Sequence, residues 1–366
     1  MGFWRKQQIT FFLTSQCNLR CRYCYMPKMH VENTDRVIDL DFAIAGLRDF
    51  FSSGPSRTIR FFGSGEPTIA FRRMVEIWEI ARQMAGDDLR TELETNGYFS
   101  DEIADWVEDH IDYLWVSVDG PPEIQDRQRP VINGMRSSPT IVNNIKRFAA
   151  SKRLQFGVRA TIEADNIDKQ SYLIDYFHEL GVKYVAASPT YYYKVNTKIE
   201  TPSLLEFAKN FVPAFYHALE LGMFYQTLLI VNFDEEVDIY CQASIPTPRL
   251  TTDGYVSSCD WASFGVKYLP SRVQQELIYG YFDKNTKEIV YDKNTIDRIR
   301  KRNNEYLGST SCFGCKALKH CGGGCVGKMA AATDSIYTAT PDWCESVRYL
   351  YDNLPINRGL YPFIHP

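Results

Sequence analysis

An α/β fold built on a parallel sheet, with a cysteine-rich part after it, follows from two patterns in this sequence. Short β-rich apolar runs alternate with segments of helical period six times in the first two-thirds of the 366 residues, and parallel strands require helical crossovers of that kind. The ten cysteines fall into two groups, Cys17, Cys21 and Cys24 near the start and Cys241, Cys259, Cys312, Cys315, Cys321, Cys325 and Cys344 near the end, with none between.

The first strand is the run Ile9 to Leu13, which ends at Thr14-Ser15-Gln16 directly before Cys17. Leu40, Ile44, Leu47 and Phe51 then recur at helical spacing until Gly54-Pro55 stops them. Thr58 to Phe62 reads as the second strand and Gly63-Ser64-Gly65-Glu66-Pro67 as the turn after it. The alternation continues with a helix over Met74 to Met84, a strand over Leu89 to Thr95, a helix around Ile103 to Val107 and a strand over Tyr113 to Val118. A helix near Ile141 to Ala150, a strand at Gln155 to Thr161, a helix at Tyr172 to Leu180 and a strand at Tyr184 to Ala187 complete it. In such sheets active sites collect at the C-terminal ends of the strands. Cys17 to Cys24, Gly65-Glu66, Asn96-Gly97, and Ser117 with Asp119 all fall there.

Composition narrows the function. A net charge of −4 and a pI near 5.9 give no general attraction to phosphate backbones, so nucleic acid is not an expected partner. The basic run Arg298-Ile299-Arg300-Lys301-Arg302 is expected to form a solvated face. No apolar stretch approaches the ~18 residues that span a membrane, and the opening Met-Gly-Phe-Trp-Arg-Lys-Gln-Gln is unlike an export signal. A reducing cytoplasm, where thiols stay free to bind metal, is the expected compartment.

Cys17-Asn-Leu-Arg-Cys21-Arg-Tyr-Cys24 places three thiols on one short loop. They can hold three corners of a [4Fe–4S] cube and leave one iron to an outside ligand. Structural zinc, the alternative, closes with four ligands. This motif, with Tyr23 before its last cysteine, resembles the signature of the radical S-adenosylmethionine superfamily. Phe62-Gly63-Ser64-Gly65-Glu66-Pro67 resembles the family's glycine-rich turn, with Ser64 where the usual pattern has glycine. Val116-Ser117-Val118-Asp119-Gly120-Pro121, followed by Asp126, Arg127 and Arg129, extends the likeness. The resemblance implies that S-adenosyl-L-methionine binds the open iron, with Gly65 and Glu66 near the methionine ammonium and Ser117 and Arg129 on the ribose and carboxylate side. Tyr23, Asn96, Asp119 and Arg159 match positions near the cofactor. Glu66 read alone is equally a helix-capping acid, and Asn96 or Arg159 could cap a strand or pair with a carboxylate.

The later cysteines, with Gly254 between the first two, resemble the seven-cysteine SPASM extension. By that resemblance Cys312, Cys315, Cys321 and Cys344 close an outer auxiliary [4Fe–4S] cluster, and Cys241, Cys259 and Cys325 hold an inner one. Its fourth iron is open or takes Asp253, Asp260, His320 or another non-cysteine group. A zinc ribbon of Cys312, Cys315, Cys321 and Cys325 would leave three cysteines unexplained. The fold implied is a partial (β/α)6 barrel of the TIM type with a bridging helix over 1–235, a cysteine-rich C-terminal SPASM domain over 236–350 and a tail over 351–366.

Such enzymes use a 5′-deoxyadenosyl radical to abstract hydrogen, and auxiliary clusters can receive the electron that the substrate radical loses. Asp260, next to Cys259, resembles the aspartate that serves as base in anaerobic sulfatase-maturing enzymes, and is the candidate general base; a hydrogen bond to hairpin backbone is the competing reading. The leading expectation is oxidative modification or cross-linking of a peptide or protein side chain, with a flavodoxin- or ferredoxin-type electron donor. Small-molecule modification, such as tetrapyrrole side-chain decarboxylation or sugar dehydrogenation, is the alternative, and a non-catalytic iron–sulfur or zinc protein the third. About sixteen residues precede Cys17, which leaves no room for an N-terminal peptide-binding wing. Phe207, Phe211, Phe215 and Tyr216 are expected in the core on a helix from about Pro202 to Leu221, while Tyr191 to Tyr193 could line the substrate cavity.

Overall fold

Strands β1 (Ile9–Phe12), β2 (Thr58–Phe62), β3 (Arg90–Thr95), β4 (Tyr113–Ser117), β5 (Gln155–Ile162) and β6 (Tyr184–Pro189) lie side by side in that order, all parallel, in a computed structural model. The structure describes residues 7–24, 36–191, 201–262 and 272–361. Helices α1 (Leu40–Ser53), α2 (Phe71–Ala85), α3 (Asp101–His110), α4 (Pro122–Gln128), α5 (Ser138–Ala150), α6 (Gln170–Glu179) and α7 (Leu204–Glu220) carry the crossovers. Asp39 caps α1 by accepting from the N–H groups of Asp41 and Phe42, and Ser203 caps α7 through the N–H of Glu206.

Side chains alternate across a strand, so neighbouring registers separate two faces. Phe11, Phe61, Leu93, Leu114 and Phe156 form one row across five strands, all buried and apolar. The adjacent row begins Thr10, Arg60, Glu92, and two residues further along β3 stands Glu94. Charge on that face of a sheet is costly unless it is paired, and it marks the interior where the site lies.

The sheet does not stop at the six expected strands. Phe224–Gln226 (β7) pairs parallel with β6, and Arg249–Leu250 (β8) pairs parallel with β1 on the other side. From β8 the ladder turns antiparallel through Tyr255–Ser257 (β9), Ile278–Asp283 (β10) and Glu288–Tyr291 (β11). Among the described residues eleven strands thus form one sheet, ordered β11-β10-β9-β8-β1-β2-β3-β4-β5-β6-β7, and strands from the cysteine-rich part extend the barrel's own edge. Strands of two or three residues show no readable alternation, which hid β7 and β8.

On α7, Phe207, Phe211 and Phe215 are fully buried as expected, whereas Tyr216 is exposed and donates to the Asn353 carbonyl. Of the basic run, Arg298, Arg300 and Lys301 are solvated but Arg302 is buried. The helix Lys293–Arg300 ends before it, and the chain turns Arg302 inward. Among the described residues no helix is long and apolar enough to cross a membrane.

Candidate functional site

The first cysteine loop is stitched to the turn after β2 by backbone alone: Gly65 N–H donates to the Thr14 carbonyl at 3.0 Å and Glu66 N–H to the Gln16 carbonyl at 2.7 Å. A Cβ on Gly65 would stand 2.0 Å from the Gln16 oxygen, so only glycine permits this approach. The buried Glu66 carboxylate accepts from Thr68 N–H and Oγ1, from Thr95 Oγ1 at 2.6 Å and from Asn96 N–H at 2.7 Å. Burial raises its pKa against these donors. Glu66 is therefore a capping acid as well as a cavity-lining carboxylate. Asn96 reaches the loop itself, donating to Asn18 Oδ1 at 2.7 Å and toward Cys17 Sγ at 3.9 Å.

Opposite this turn, the Tyr23 hydroxyl donates to Asp119 Oδ2 at 2.7 Å and accepts from Arg129 Nη1 at 2.6 Å. Asp119 is fully buried behind the wall, where it also accepts from Thr161 N–H and braces both residues. Ser117 and Arg159 are register partners on β4 and β5, and Arg159 pairs with Glu94 at 2.7 Å. The Nε atoms of Arg129 and Arg159 are buried without a hydrogen-bond partner, which leaves each guanidinium a donor for a ligand. Burial, with repulsion from Cys21 and Glu66, pushes the Cys17 thiol up to about 12, and burial also raises Cys21. Binding a cluster here would expel those protons. Three thiols on one loop, unused guanidinium donors and the tight glycine turn fit a [4Fe–4S] cluster with S-adenosylmethionine on its open iron.

The seven later cysteines are in no disulfide, and they separate into two neighbourhoods. Burial raises Cys241 and Cys259, and each is raised further by the Cys325 thiolate; Cys259 also feels Cys241. Burial raises Cys312, Cys321 and Cys344; Cys315 raises all three further, Cys312 raises Cys321 and Cys344, and Cys344 raises Cys321, while Ser311 lowers Cys312 and Trp343 lowers Cys321. The structure thus brings together Cys241 with Cys259 and Cys325, and Cys312 with Cys315, Cys321 and Cys344. Among the described residues no three His, Cys, Asp or Glu side chains come close enough to hold one metal ion. The thiols are neighbours rather than closed single-ion sites, and a cube is larger than an ion. His320 Nδ1 lies 3.2 Å from the Asn232 carbonyl, and Asp253 accepts from Thr251 Oγ1.

One cavity of about 400 Å³ is lined both by Cys17, Cys21 and Cys24 of the first loop and by Cys241, Cys259 and Cys325 of the inner set. Across its wall runs an alternating chain of charge. Arg159 pairs with Glu94, Glu94 with Arg60 at 3.1 Å, Arg60 with Asp260 at 2.8 Å, and Asp260 with Arg249 at 2.6 Å. Burial alone would raise the Asp260 carboxyl, but Arg60 and Arg249 outweigh it and hold it well below the usual carboxylate range. Arg60 and Arg249 flank Thr10 in the register of β2, β1 and β8, and sequence reasoning missed both because strand pairing alone brings them together. Lys328 was missed too: its ammonium sits 3.0 Å over the Tyr191 ring and 5.4 Å from that of Trp261, and burial pushes its pKa down to about 7. Tyr191 lines the cavity; Tyr192 and Tyr193 lie outside the described residues.

Residues 11–158 match the family model of the Radical SAM superfamily. The tungsten-containing aldehyde ferredoxin oxidoreductase cofactor-modifying protein of Pyrococcus furiosus is 27% identical over 46% of this chain and 48% of its own length. The chain spans about half the length of the curated relatives it matches. Native anSMEcpe with bound AdoMet and Cp18Cys peptide superposes with a TM-score of 0.71 at 18% identity, over 94% of this chain and 96% of that one. Streptococcus suis SuiB bound to precursor peptide SuiA gives 0.65 at 15%, over 94% and 77%. At those identities the likeness is one of fold, and it covers the cysteine-rich part as well as the barrel.

Proposed function

Residues 11–158 are a radical SAM domain, and from that premise we propose that the chain is a radical S-adenosylmethionine enzyme of the SPASM type that oxidatively modifies or cross-links a peptide or protein side chain. The carrying observation is a cavity lined both by Cys17, Cys21 and Cys24 and by Cys241, Cys259 and Cys325. Bound there, a [4Fe–4S] cluster and S-adenosylmethionine supply a 5′-deoxyadenosyl radical able to take hydrogen from a substrate. Cys17, Cys21 and Cys24 would hold that cluster; Gly65, Glu66, Ser117, Arg129 and Arg159 would orient the cofactor, with Tyr23, Asn96 and Asp119 bracing them. The two later thiol sets would hold inner and outer auxiliary [4Fe–4S] clusters, and a flavodoxin- or ferredoxin-type protein would supply electrons. A substrate between the two sides has its reacting carbon beside one set and its electron outlet beside the other.

Anaerobic reconstitution followed by dithionite and S-adenosylmethionine is expected to release 5′-deoxyadenosine. Cys21→Ala is expected to abolish release, and Cys259→Ala to preserve it while iron is lost from the inner set. No release from the unmodified protein overturns the enzyme reading; undiminished release from Cys21→Ala overturns the assignment of the loop.

Asp260 is the proposed base, positioned one residue from Cys259. Two arginines hold its oxygens, so its basicity rises only when a substrate draws one of them away. Asp260→Asn should still cleave the cofactor while product formation falls on the order of 10²-fold. Full product formation would show that the carboxylate only anchors the arginines.

The peptide reading draws support from the peptide complexes of anSMEcpe and SuiB, whose fold this chain shares. Small-molecule modification is the second reading, favoured by the cofactor-modifying protein of Pyrococcus furiosus. Mass spectrometry of a peptide encoded beside the gene, incubated with the reconstituted enzyme, separates them: a changed peptide mass supports the first reading alone.

A further inference from the structure

Arg302 is a buried cation with no carboxylate partner among the described residues. It is 1% exposed, and its guanidinium donates to main-chain carbonyls: Nε to Ile336 at 2.5 Å, Nη1 to Gly322 at 3.3 Å, and Nη2 to Gly323 at 2.7 Å and Gly324 at 3.0 Å. The three glycines connect Cys321 of the outer set to Cys325 of the inner set. All have left-handed φ, from 58° to 78°, which only glycine adopts freely. A Cβ on Gly323 would stand 2.3 Å from Leu307 Cδ1 and 3.2 Å from Arg302 Nη2, so the loop is wrapped closely on the guanidinium.

Arginine keeps its proton in proteins, and an isolated buried charge is costly unless opposite charge offsets it. Carbonyl dipoles supply part of that offset. Thiols of both sets act electrostatically on its charge: Cys241 and Cys325 of the inner, Cys321 and Cys312 of the outer. The site is built for negative charge on both sides of Arg302.

We propose that Arg302 is a positioning residue whose fixed positive charge, set between the inner and outer cysteine sets, makes the clusters they hold easier to reduce. This rests on the reading that those cysteines bind iron–sulfur clusters. A cation stabilises whichever oxidation state carries more negative charge, so it favours the reduced form of each neighbour. Arg302 is not among the residues that line the cavity at Cys17, Cys21 and Cys24, so the cofactor-cleaving cluster should not respond.

Redox titration followed by electron paramagnetic resonance tests this on the reconstituted full chain. Arg302→Gln keeps an N–H donor for the carbonyls and removes the charge, while Arg302→Lys keeps the charge and removes the fork. In Arg302→Gln the reduced-to-oxidised ratio of the auxiliary clusters at a given potential should fall about tenfold, a shift of about 59 mV for one electron. Arg302→Lys should restore it, and the first-loop cluster should be unmoved in both. Unmoved auxiliary potentials in Arg302→Gln with normal iron content overturn the proposal, as does a shift of equal size in both variants. If Arg302→Gln fails to retain iron, Arg302→Lys decides: normal iron and potentials support a need for charge, and iron loss there too overturns it in favour of packing. Iron analysis of the unmodified protein separates the underlying reading, because iron for the first-loop cluster alone would refute the auxiliary clusters themselves.

Discussion

Arg60→Leu should destabilise the protein by about 3–5 kcal/mol, the cost of removing one partner from a buried ion pair. Arg60 is buried on β2 and is shared by two carboxylates, Glu94 at 3.1 Å and Asp260 at 2.8 Å. Its loss leaves Glu94 to Arg159 and Asp260 to Arg249, and removes the link that joins those two pairs across the cavity. The denaturation midpoint should fall clearly. Arg60→Lys should lose less, since it keeps a charge but can no longer hold two acids with a fork. A Leu variant of unchanged midpoint would mean that the chain of charge contributes nothing to the fold.

Gly65→Ala is expected to cost about 2–3 kcal/mol and to strip iron from the first loop. The new methyl would meet the Gln16 oxygen at 2.0 Å, the Gln16 carbonyl carbon at 2.6 Å and the Ser15 carbonyl carbon at 2.7 Å. These are backbone atoms next to Cys17 and cannot rotate aside, so the turn and the loop must separate. The hydrogen bonds from Gly65 to Thr14 and from Glu66 to Gln16 would lengthen together. Thermal unfolding and iron content per chain check it: unchanged values for both would show that the approach is looser than the geometry implies. The neighbouring Ser64 shows the contrast, because the departure from a glycine pattern falls where a Cβ is accommodated and the tight positions, Gly63 and Gly65, keep glycine.

Much of the barrel was legible because each strand carries several apolar residues in a row and each helix a clear period. The thiols, Glu66 and Arg129 were legible through short local motifs that resemble those of a known family, which a sequence displays directly. Arg60, Glu94 and Arg249 were not, since each lies in an ordinary-looking strand and acquires meaning only from its register with the next one. Arg302 was misread for a related reason: it shares a run with three solvated basic residues, and only the end of the helix two positions earlier turns it inward. Lys328 lies in the helix Val326–Thr333, where the nearby cysteines and glycines drew attention and the aromatic rings that receive its ammonium are distant in sequence.

The pairing of β8 with β1 bears on how the two sides of the cavity stay apart. Thr10 stands between Arg60 and Arg249 in one register, and Asp260 spans the same three strands from above. The inner cysteine set is thereby gauged against the first cysteine loop by ladder spacings, as the jaws of a caliper are set by its beam. Widening the gap would mean shearing strands rather than swinging one lobe on a hinge. On the function proposed above, the spacing between hydrogen abstraction and electron exit would then be the same for every substrate.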